Sequence, residues 1–135
     1  MTNFNLSTNS KKNREGIDDR LIQISDRAIQ ITTIDFGHGS TAGLRSYVVQ
    51  NNLFREEKSK CDGYAKISRH QEGKALDFYA YIYGKASWDN THLAMVATAF
   101  LQAASELNIA IAWGGLWAVE ESLYGWDMPH IELKD

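Results

Sequence analysis

The chain has 135 residues, 44% hydrophobic and 23% charged, with a formal net charge of −3. That length supports one hydrophobic core without disulfides or a structural metal, and the charge balance excludes the basic footprint of a protein that binds nucleic acid or an anionic membrane. A lone cysteine, Cys61, excludes an internal disulfide and a cysteine-rich zinc site, and no stretch reaches the ~20 apolar residues of a membrane span.

Residues 1–15 are rich in Asn, Ser and Lys. They read as a polar, mobile or loosely docked arm ahead of a single domain over 16–135, and they lack the apolar run of a secretory signal. Ile17, Leu21, Ile24, Ala28 and Ile31 then recur every three or four residues, one apolar stripe on a helix. Residues 32–38 alternate as a short strand, with Ile34 and Phe36 on one side. Gly37, Gly39 and Gly43 mark a turn. A more polar helix is expected over 46–58 with Val49 and Leu53 inward, and a loop over 59–63. Residues 75–83 alternate again, with Leu76, Phe78, Ala80 and Ile82 on one face. Ala75, Asp77, Tyr79, Tyr81 and Tyr83 take the other, so Asp77 turns off the apolar side. Asp89 or Asn90 caps the strongest helix, whose buried stripe is Leu93, Val96, Ala97, Phe100, Ala104 and Leu107. Residues 109–113 read as a buried strand ended by Gly114-Gly115. A loop or short helical turn follows over 116–126, and the last strand sets His130 and Glu132 opposite Ile131 and Leu133. The expected layout is α+β, a small antiparallel sheet with helices packed around it and a site in a cleft on the sheet. A monomer is expected.

Two stretches carry the chemistry. They are Ser68-Arg69-His70-Gln71-Glu72-Gly73-Lys74-Ala75-Leu76-Asp77 and Asp127-Met128-Pro129-His130-Ile131-Glu132. Zinc in a hydrolase takes three protein ligands and keeps one position open for water. His70, Asp77 and His130 supply that set. Asp127, three residues before the last ligand, is a carboxylate able to take a proton from water. The competing reading is a solvated strand aspartate among isolated structural histidines, since periodicity alone does not bring the three together. His38 and His92 read as polar surface or capping residues. Glu132 reads as a hydrogen-bond partner of a ligand histidine or as a further oxygen donor. Glu120 and Glu121 read as a solvated acidic loop rather than a regulatory cation site. Trp113, Trp117, Trp126 and the tyrosines 79, 81 and 83 divide between core and an aromatic cleft wall, and Cys61 reads as a free thiol in a polar loop. No phosphate loop, Gly-x-Ser-x-Gly or His-Glu-x-x-His is present.

The spacing Ser68-x-His70-x-x-Gly73-x-Ala75-x-Asp77, followed some fifty residues later by Asp127-x-x-His130-x-Glu132, resembles the D-alanyl-D-alanine carboxypeptidase family of zinc peptidases. Within it, the chain is most similar to the small bacteriophage L-alanyl-D-glutamate endopeptidases, which act as endolysins. Gly43-Leu44-Arg45-Ser46 and Trp113-Gly114-Gly115-x-Trp117 extend the likeness from about Ile17 to Leu133. The resemblance implies Zn2+ held by His70, Asp77 and His130, and a catalytic carboxylate at Asp127. It also implies that Arg45 reaches the active site to hold a substrate carbonyl or carboxylate. Ser68 is expected to orient a ligand, to bind substrate or to be an ordinary turn serine. Many family members carry Glu as the base, and Asp127 is the variant of the phage branch. The implied substrate is the peptidoglycan stem peptide, cut at L-alanyl-D-glutamate first and D-alanyl-D-alanine second. A non-catalytic, zinc-stabilised wall-binding module is the rival. The implied setting is a phage protein that folds in the host cytoplasm without a signal peptide and meets the wall after the membrane is permeabilised.

Overall fold

The computed structural model describes residues 4–118 and 125–135. The N-terminal segment departs from the expected loose arm. Ser7 caps α1 (Thr8–Asn13) by accepting from the Ser10 backbone N–H, and Leu6 joins the core. Arg14 is buried and donates to Asp26 at 2.6 Å and to the Ile22 carbonyl. The polar composition that suggests disorder is instead consumed in specific hydrogen bonds. Asn13 Nδ2 donates to the His38 carbonyl, and the His38 N–H donates to Ser10 Oγ.

Asp18 caps α2 (Asp19–Ile31), on which Leu21, Ile24 and Ala28 are fully buried, as the stripe predicts. β1 is Asp35–Gly37. α3 (Tyr47–Arg55) corrects the expected inward pair. Val49 is exposed, and the buried residue is Gln50. Apolar spacing misleads here because this helix docks through a polar clamp rather than an apolar stripe.

A short 3₁₀ turn, Arg69–Glu72, precedes β2 (Ala75–Asp77) and β3 (Tyr79–Ile82). The unbroken alternation over 75–83 is therefore two strands, and they lie in different sheets. β3 pairs with β1 and with β4 (Lys85–Ser87), a polar strand with no apolar pattern to announce it. After α4 (Asn90–Glu106), capped by Asp89, come β5 (Ile111–Trp113) and β6 (His130–Leu133). β2, β6 and β5 form the second sheet, with β6 central. The α+β class holds, with two three-stranded antiparallel sheets in place of one. Phe78 is the crossing point. It is fully buried, stacks on Phe100 of α4 at 4.9 Å, and donates its N–H to the Pro129 carbonyl. α2 packs along α4. Their buried faces share one core with Leu76, Ile131 and Leu133, and each fully buried leucine, isoleucine or phenylalanine contributes about 1.5–3 kcal/mol.

Candidate active site

Antiparallel register sets Asp77 directly opposite His130. Opposed residues share a sheet face, so two donors meet with no help from a loop. The third, His70, comes from the 3₁₀ turn. Ser68 caps that turn, its Oγ accepting from the His70 N–H while Gln71 accepts from the Ser68 N–H. Gly73 ends it with φ +68°, a left-handed conformation that other residues adopt at a cost.

His70 Nε2, His130 Nδ1 and Asp77 Oδ1 form a triangle with edges of 3.2, 3.2 and 3.1 Å. A tetrahedral zinc about 2.0–2.1 Å from each donor would space them roughly 3.3 Å apart, so the residues fit the ion. The remaining ring nitrogens set the tautomers. His70 Nδ1 donates to the Gly43 carbonyl at 3.0 Å, and His130 Nε2 donates to Glu132 at 2.9 Å. Each imidazole thus leaves its other nitrogen, His70 Nε2 or His130 Nδ1, facing the centre. This places Glu132 as the hydrogen-bond partner of His130.

Arg45 is held by three hydrogen bonds. Nε donates to the Thr41 carbonyl, Nη1 to Gln50 and Nη2 to Asp77 Oδ2 at 3.0 Å. The guanidinium therefore orients the carboxylate whose other oxygen belongs to the triangle. Asp127 Oδ2 lies 3.7 Å from His130 Nδ1. Its N–H donates to the Gly114 carbonyl, and a Cβ at Gly114 would strike the Asp127 backbone. Glycine is required there for the close approach.

Charges in the site are strongly shifted. Burial opposes the Asp77 charge, but the two imidazoles outweigh it and hold the carboxyl well below the usual carboxylate range. Burial likewise opposes a charged His130, while hydrogen bonds to Asp77 and Glu132 prevail and raise it to about 10. Asp127 is pushed up to about 6, first by burial and then by the Asp77 charge.

The structure corrects the reading of His38 as a surface or capping residue. It is 1% exposed, its Nδ1 donates to the Asp77 carbonyl at 2.7 Å, and its Nε2 meets Ser25 Oγ at 2.8 Å. It steadies the backbone of Asp77. Sequence reasoning missed it because both partners are distant in the chain. His92 bonds Ser87 Oγ beside the α4 cap, which is made by Asp89. Glu120 and Glu121 lie outside the described residues.

The site opens into a cleft of about 440 Å³. Trp117, whose ring lies 5.2 Å from that of His130, and Trp126 line it. Trp113 packs against the core and donates to the Met128 carbonyl, while Tyr79 and Tyr81 lie on the other sheet and Tyr83 is exposed in the turn after β3. Cys61 also lines the cleft as a free thiol. Among the described residues no helix is long and apolar enough to cross a membrane.

A three-donor centre in an open cleft, with a spare carboxylate beside it, is the arrangement of a metal-dependent hydrolase. Residues 2–134 match the family described as phage L-alanyl-D-glutamate peptidase, and the chain belongs to that family. It is 28% identical to the L-alanyl-D-glutamate peptidase of Escherichia phage T5, over 96% of this chain and 98% of that one. Its fold is similar to the crystal structure of the Serratia marcescens L-Ala D-Glu endopeptidase ChiX, with a TM-score of 0.78 and 29% identity, over 96% of this chain and 90% of that one.

Proposed function

We propose that this chain is a zinc-dependent endopeptidase that hydrolyses the L-alanyl-D-glutamate bond of the peptidoglycan stem peptide. The observation that carries the reading is the near-equilateral donor triangle of His70, Asp77 and His130 with Asp127 beside it. Family membership and both relatives support the bond chosen.

His70, Asp77 and His130 would hold the ion. When bound, zinc supplies Lewis acidity that makes water a nucleophile near neutral pH and polarises the scissile carbonyl. Asp127 takes the water's proton on a carboxylate oxygen and returns it to the departing nitrogen. Arg45 lines the cleft and keeps two of its five N–H groups uncommitted, available to a developing oxyanion or a peptide carbonyl. Ser68 holds the turn that presents His70. A pure wall-binding module has no use for Asp127 at this place. In a phage setting the chain folds in the host cytoplasm and meets its substrate once the inner membrane is breached.

The test is mass spectrometry of muropeptides released from purified walls, with and without chelator. The expected products end in L-alanine on one side and begin with D-glutamate on the other, and chelation abolishes them. Release of terminal D-alanine alone would point to the carboxypeptidase activity. Binding to walls with no released peptide would point to the module.

A further inference from the structure

The cleft lining is more cationic than a chain of net charge −3 leads one to expect. Among the described residues Arg45, Lys58, Lys60, Lys66 and Arg69 line it, against three acids of the centre, Asp77, Asp127 and Glu132. Three of the cations are already committed. Arg45 serves Asp77, Lys58 lies 3.3 Å from Glu56, and Arg69 serves Glu72, Glu132 and the Leu133 carbonyl. Lys60 and Lys66 have no acidic partner among the described residues. Lys60 Nζ sits instead 4.1 Å from the centre of the Trp126 ring.

The loop bearing these two lysines is built to a fixed shape. Fully buried Gln50 donates to Ser59 Oγ and the Cys61 carbonyl while accepting from Arg45. Asn51 donates to the Asp62 carbonyl, Asp62 Oδ1 accepts from the Lys66 N–H, and Gln71 donates to the Gly63 carbonyl. Gln50 thus ties the lysine loop to the guanidinium that orients Asp77. The loop thus holds both lysine backbones at a set place beside the centre, and Lys60 Nζ is further steadied over the Trp126 ring, an arrangement suited to reading a substrate group rather than merely attracting it.

The linkage in question leaves such a group to be read. The amino group of the D-glutamate lies in the cleaved amide, and only one of its two carboxyl groups can continue the peptide. The other remains a free carboxylate a few bonds from the scissile nitrogen. We propose that Lys60 and Lys66 form a subsite for that carboxylate on the leaving-group side, an inference that rests on the peptidase reading above.

The test uses zinc-loaded protein and two stem peptides that differ only in having this carboxylate free or as a carboxamide. For the unaltered chain the expected KM is about tenfold lower for the acid, with kcat within about twofold, and the gap narrows as salt is added. In K60Q/K66Q the discrimination falls to about twofold or less, and in K60R/K66R it is retained. Equal kcat/KM for the two peptides, or tenfold discrimination surviving K60Q/K66Q, overturns the subsite while leaving the peptidase reading intact. If neither peptide is cut, the peptidase reading fails. Equilibrium titration of both peptides then decides the subsite by the same ratios, equal dissociation constants overturning it.

Discussion

Each imidazole of the centre spends one nitrogen on the protein, which leaves the other nitrogen to face an ion. Replacing Glu132 by alanine frees the His130 ring to turn. We expect metal affinity to drop about 10–100-fold in a competition titration, and unchanged affinity would remove Glu132 from this role. Asp127→Ala removes no donor of the triangle, so metal content should stay full while kcat falls by at least about 10²-fold. A variant that still clears purified walls would end the base assignment. Proton and ion compete for His130. Its folded value near 10 lies above the ordinary 6.5, so the metal-free chain carries that proton throughout the neutral range and must release it to bind. Metal affinity should therefore climb as pH rises from 6 to 9. Strand phase turns Asp77 and His130 off the apolar side, as the alternation implies, whereas the approach of His70 and Asp127 to them followed only from the family resemblance. Gln50 and His38 were not legible, since a buried amide or imidazole is defined by partners that local pattern does not reveal.

Elements matter here through register. A one-residue slip between β2 and β6 would send one donor of the Asp77–His130 pair to the opposite face. Gly114 works at the same level, letting the turn after β5 press against Asp127. Gly114→Ala should lower kcat and cost about 1–3 kcal/mol of stability by overpacking, read by kinetics and thermal melting together. His38 joins α2 to β2 through Ser25 and Asp77. Burial lowers its pKa from 6.5 to about 4. Between those values the unfolded chain binds a proton that the folded chain does not. Its contribution is full above about pH 6.5 and is lost as pH falls toward 4, on the order of 3 kcal/mol. In chelator, His38→Asn should lose less melting temperature than the unaltered chain between pH 7 and 4.5, and parallel losses would contradict this. The helices α2 and α4 were readable from their stripes. The split of 75–83 into two sheets was not, because alternation has the same period whichever partner a strand finds. β4 escaped notice because its three residues are polar or small.

At the scale of the molecule, the three donors come from separate stretches of chain, so a bound ion crosslinks the 3₁₀ turn to the second sheet. An ion present at about 100 times its dissociation constant should stabilise the fold by ~2.7 kcal/mol and raise Tm by on the order of 10 °C. Calorimetry with and without chelator measures this directly. The N-terminal segment shows how far such linkage extends. Ser10 receives the His38 N–H, and His38 in turn supports the Asp77 carbonyl. A chain trimmed to begin after residue 15 would keep every catalytic side chain and still lose the buttress two steps behind the acid ligand. Anyone shortening this protein or threading a fusion onto its front end is adjusting the candidate metal cage from behind.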